Sequence, residues 1–126
     1  MLLEAIKSHL VFAGVVNTGW DCFIGFCPDS QDSVISLHQT GGYPDETHQG
    51  ETVKSTFQVR VRSGPLDYAG CQEKWWEMFR ALHNADLASQ GIRLVLAESS
   101  GPLEYYDSKD RPNMTANFVA VWDTPQ

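Results

Sequence analysis

Three cysteines and four histidines are the residues of this 126-residue chain best suited to hold a metal or act on a substrate. Cys22, Cys27 and His38 could serve as ligands, but their spacing fits no common zinc pattern and a fourth ligand is missing. Buried thiols acting as small hydrophobes are the simpler reading. The acidic pairs Asp29 with Asp32 and Asp45 with Glu46 could bind Mg²⁺ or form a nuclease site, yet no lysine or histidine completes a catalytic set around them. His9, His38, His48 and His83 are scattered through different elements and give no triad. Neither a Gly-x-Ser-x-Gly elbow nor a phosphate-binding glycine loop is present. No catalytic residue, metal or cofactor is therefore expected, and a small metal-dependent nuclease stands third among the readings.

The remaining candidates suit contact rather than catalysis. Arg60 and Arg62 are two apart, so they share one face of a strand. That face is either solvated or a cationic strip at a subunit interface, opposite an acidic neighbour such as Asp45, Glu46 or Glu51. Such complementarity fixes register more than it adds affinity. Trp75 and Trp76 are adjacent and cannot point the same way on a helix. Trp75 falls on the apolar stripe, and Trp76 sits at its edge, covering the first helix or anchoring a neighbouring subunit. Thr40 to Ser55, with Gly41, Gly42, Tyr43 and Pro44 at its start, has no periodicity. It reads as a plain surface loop, or as a projecting loop or extended hairpin arm that orders on contact with a partner.

These residues need a scaffold, and composition sets its scale. One core fits the length, and 42% hydrophobic with 20% charged residues is a globular profile. The formal charge of -7 disfavours a nucleic-acid-binding surface. The odd cysteine count argues against a disulfide framework and for a reducing compartment. No apolar run approaches the roughly 20 residues of a membrane span. The N-terminus lacks the basic region of a signal peptide. The protein is expected to stay where it is made.

Leu2, Leu3, Ile6, Leu10 and Val11 recur at helical spacing, so Leu2 to Phe12 reads as a short amphipathic helix. Trp20 to Phe26 and Ser33 to Gln39 read as strands, joined as a hairpin through Pro28-Asp29-Ser30. Phe57, Val59 and Val61 alternate with Gln58, Arg60 and Arg62 in a third strand. Tyr68, Cys71, Trp75, Met78, Phe79 and Leu82 mark one face of a long helix running to about Asn84. Ile92 to Leu96 and Met114 to Trp122 close the chain as strands, with turns at Gly101-Pro102 and Lys109 to Pro112. This order predicts an α+β fold, a mostly antiparallel sheet of about five strands packed with two helices, in one domain spanning 1–126.

Ile24-Gly25-Phe26-Cys27-Pro28-Asp29-Ser30-Gln31-Asp32, continued by Thr40-Gly41-Gly42-Tyr43-Pro44, resembles the tail terminator or minor capsid family of long-tailed bacteriophages. There a strand ends in a Pro-Asp turn, and a second strand leads into a Gly-Gly-x-Pro loop. Gln31 stands where the pattern has a proline. Leu2 to Ile6, Phe57 to Arg62, Ala81 to Asn84 and Asn117 to Val121 match in order. The resemblance implies a structural virion protein, not an enzyme. It would form a ring, a homohexamer in the virion and a monomer when purified alone. The ring would cap the head-proximal end of the tail tube at the head–tail junction and dock head completion proteins. Its partners would be itself, tail tube protein and a head completion or connector protein, with DNA only passing through the lumen and no membrane. Assembly would take place in the host bacterial cytoplasm. A head–tail connector or stopper is the alternative.

Overall fold

A computed structural model describes residues 2–44, 52–85, 87–99 and 101–123. In chain order the elements are α1 (Leu2–Phe12), β1 (Asp21–Ile24), β2 (Val34–Pro44), β3 (Thr52–Arg62), α2 (Tyr68–Leu82), β4 (Ile92–Ala97), β5 (Leu103–Tyr106) and β6 (Pro112–Asp123). The sheet runs β1-β2-β3-β6, and β4 and β5 share the far side of β6. β5 pairs with Pro112 to Thr115, and β4 with Phe118 to Trp122. The fold is α+β and mostly antiparallel, with six strands rather than about five. The added strand is β5.

Alternation builds the core. Ile35 and Leu37 of β2, Phe57, Val59 and Val61 of β3, and Met114, Phe118 and Ala120 of β6 are all buried on one face. Both helices pack there, with Leu2, Leu3, Ile6 and Leu10 from α1 and Cys71, Trp75, Met78 and Leu82 from α2. Phe57 and Phe118 stack with centroids 5.6 Å apart. Burying each such large side chain is worth about 1.5–3 kcal/mol. Asp67 caps α2 by accepting from the Gly70 N–H at 3.0 Å. His9 Nε2 meets the Ala81 carbonyl at 2.7 Å and ties the helices together.

Two sequence expectations are corrected. β1 and β2 do not form a hairpin; they pair in parallel, Asp21 against Val34 through Ile24 against Leu37. The chain must therefore double back over 25–33, a connection shorter than the roughly dozen residues such a pair usually needs. Gly25, at φ +86, makes the reversal possible and donates to the Leu37 carbonyl at 2.8 Å. The second concerns Thr40 to Pro44, where the plain-loop reading falls and the hairpin-arm reading holds: these residues are strand. Gly41, Gly42, Tyr43 and Pro44 pair with Thr56, Ser55, Lys54 and Val53. A bulge between Gln39 and Gly41 lets the strand continue, with Gly41 at φ +110. The arm is thus an extended hairpin, backed along β3 by β6.

Candidate assembly surfaces

The connection 25–33 crosses the face of the sheet that carries no helix, and two arginines hold it there. Arg62 ends β3 and is only 4% exposed. It donates to the carbonyls of Pro28, Gln31 (2.6 Å) and Asp32 (3.3 Å) and to Cys27 Sγ at 3.2 Å. Arg111, just ahead of β6, is 2% exposed. It donates to the carbonyls of Asp29 and Gln31 and pairs with Asp29 at 2.5 Å, Asp107 at 2.9 Å and Asp32 at 3.4 Å. Lys109 adds a 2.6 Å contact to Asp29. Hydrogen bonds from Lys109 and Arg111 hold the Asp29 carboxyl down at about 2. At Asp107 burial opposes ionisation, but the backbone N–H groups of Arg111 and Lys109 outweigh it and lower the pKa. The turn acids that suggested a cation site are therefore ion-paired within the chain.

Arg60 and Arg62 do share a face, but only Arg60 remains outside this clamp. It lies half-buried, with its guanidinium 5.9 Å from the Tyr105 ring centroid. His38 is its neighbour on β2 and contacts Ser36 Oγ at 3.1 Å. Burial, and then the Arg60 charge, lower the His38 pKa. Trp76 is half-buried and meets Phe79 edge-on at 5.3 Å, at the rim of the core. Asp45, Glu46 and Glu51 lie outside the described residues. Cys22 and Cys71 are buried and Cys27 half-buried, and all three are free thiols. Among the described residues no group of three or more His, Cys, Asp or Glu could hold a metal ion. No helix there is long and apolar enough to cross a membrane.

The free edges of the sheet are a feature that sequence reasoning missed. The outer edge of β4 is closed by the end of α2: Asn84 N–H donates to the Val95 carbonyl at 2.9 Å, and His83 Nδ1 accepts from Ala97 N–H at 3.1 Å. Among the described residues β5 pairs with β6 alone, and all four of its residues are exposed. Tyr68 OH donates to the Glu104 carboxylate at 2.8 and 3.0 Å, which pushes its own pKa up. At the opposite edge, among the described residues, β1 pairs only with β2. A groove of about 500 Å³ lies along β1, lined by Lys7, Val16, Phe23, Phe26 and Gln31 among others. Exposed edges of this kind invite a further strand.

The described residues thus form a two-layer α+β fold whose short strands β1 and β5 each pair with a single strand. Among solved structures, the chain resembles a subunit of the "Virion of native gene transfer agent (GTA) particle", with 19% identity, a TM-score of 0.71, 98% of this chain covered and 95% of the other. This likeness establishes the fold. No curated protein matches the chain. Residues 9–124 match the family described as bacteriophage tail terminator protein. The chain belongs to that family and is a structural protein of the phage tail.

Proposed function

We propose that this subunit forms the ring that ends the phage tail tube on its head-proximal side and receives the head. Family membership across residues 9–124 carries the reading. The subunit acts as one domain over 1–126, as a homohexamer in the virion and a monomer when purified alone. It has no enzymatic activity and no cofactor. Tail tube protein is its partner on one side and a head completion or connector protein on the other. It is assembled in the host bacterial cytoplasm and resides at the head–tail junction. The net charge of -7 suits a lumen that lets DNA pass without holding it.

Within that ring, Arg60 faces acids of a neighbour, for which Asp45, Glu46 and Glu51 are the candidates, and Trp76 anchors a subunit contact. The β2–β3 arm, including Gly41 to Pro44, reaches toward tube or head. The test is polymerisation of tail tube protein with substoichiometric amounts of this chain. Growth arrested at short lengths supports capping, and unchanged tube lengths contradict it. Deleting Asp45 to Gln49 should spare the fold and abolish the arrest.

A further inference from the structure

The register of the sheet places its two free edges at one level. Phe23 of β1 pairs with Ser36, Ser36 with Arg60, Arg60 with Thr115, and Thr115 with Leu103 of β5. A single row of residues thus runs from one edge to the other, and Phe23 and Leu103 are its ends. The next rows end in Cys22 with Glu104 and in Asp21 with Tyr105. Both edge strands are four residues long.

Direction matters as much as level. β1 runs with β2, β3 runs against β2, β6 against β3, and β5 against β6. β5 is therefore antiparallel to β1. A rotation about an axis along the strands preserves their directions. A β5 brought beside the β1 of the next copy would meet it antiparallel, the stronger pairing. Ring closure requires such a heterologous contact, in which two different surfaces of the same subunit meet.

We propose that β5 of one copy docks along β1 of the next and continues the sheet around the ring. This inference rests on the ring reading above and names its interface. The side chains on the two edges suit it. In straight register Leu103, 70% exposed, would pack on Phe23 on the helix-free face. Glu104 lies on the opposite face, the one bearing the helices. It would enter the groove beside β1 where Lys7 of α1 is part of the lining. The contact thus has an apolar pair on one face and an ion pair on the other. It also explains why β5 carries Leu103, Tyr105 and Tyr106 into solvent while the edge of β4 is already closed.

Two sets of variants test the pairing in the full chain, each assembled with tail tube protein. In the first, Phe23→Cys and Leu103→Cys are combined and oxidised. A ladder of disulfide-linked multimers on a non-reducing gel, absent from wild type and from either single variant, is expected. In the second, Lys7→Glu or Glu104→Lys alone should raise the concentration for half-assembly about tenfold. The double reversal should restore it. Rings that form normally, show no ladder and ignore the single reversals would overturn this interface and leave the ring intact. A chain that never leaves the monomer, even with tubes, would overturn the ring and this inference together.

Discussion

Arg62 and Arg111 converge on one acceptor: both donate to the carbonyl of Gln31, at 2.6 and 3.4 Å. One side chain leaves the end of β3 and the other the residue before β6, so two neighbouring strands grip the same turn. That grip allows β1 to lie parallel to β2 on a short connection. The carbonyls of Pro28, Asp29, Gln31 and Asp32 lie against the sheet and would be costly to leave unpaired. The two guanidiniums, with their fixed forks of donors, satisfy them.

Replacing Arg111 with alanine removes this support and should cost about 2–4 kcal/mol, because hydrogen bonds to a charged group are the strong ones. Arg111→Lys should recover little, since one ammonium cannot span the acceptors that the guanidinium reaches. Urea midpoints of the three proteins check this. A loss within about 0.5 kcal/mol for alanine would contradict the clamp.

Acid should loosen the same turn. The Asp29 carboxyl titrates near 2 when folded against an ordinary value of 3.8. A lowered folded pKa means that the contribution is present above the unfolded value and is lost as pH falls from about 4 toward 2. Asp107 shifts in the same direction. Asp29→Asn should be less stable than wild type at pH 6 and should converge with it near pH 2. Thermal midpoints across that range are the measurement, and a constant gap would speak against the linkage. The contribution is small, because Asp29 is exposed.

Arg60 and Arg62 should behave differently despite their spacing. Arg62→Glu places an acid among carbonyls at a site 4% exposed and should unfold the chain or cost several kcal/mol. Arg60→Glu should retain the fold and weaken ring assembly. Circular dichroism with sedimentation of tube mixtures separates the two outcomes. Equal loss of fold in both variants would remove the distinction.

The thiols should sort by burial. Cys22 and Cys71 are pushed up to about 11 by desolvation and are nearly inaccessible. Cys27 is half-buried. A chromogenic disulfide reagent at pH 8 should label one thiol in the native protein and all three after denaturation. Rapid labelling of two or more would show that the core opens.

Much of the scaffold is legible in residue periodicity. α1 runs Leu2–Phe12 as the apolar spacing predicts, and α2 ends at Leu82 rather than about Asn84, because His83 turns extended and Asn84, at φ +61, bonds to β4 instead. The alternation in Phe57 to Arg62 and Met114 to Trp122 finds β3 and β6, but both strands continue past it. β5 was invisible because Leu103-Glu104-Tyr105-Tyr106 is exposed on both faces, so burial imposes no alternation on it. The parallel pairing of β1 was also hidden. Pro28-Asp29-Ser30 is sound turn chemistry, but strand direction is decided by Arg62 and Arg111, far away in sequence. Arg62 looked like a surface cation for a related reason: alternation tells which face a side chain takes, not what covers that face.

The central claim is that this chain works as a ring on the tail tube. Its molar mass should be measured by light scattering behind a sizing column, alone and after mixing with tail tube protein. A monomer alone that becomes a closed ring of about six subunits on the tubes is the predicted result. A monomer that ignores the tubes would contradict the claim.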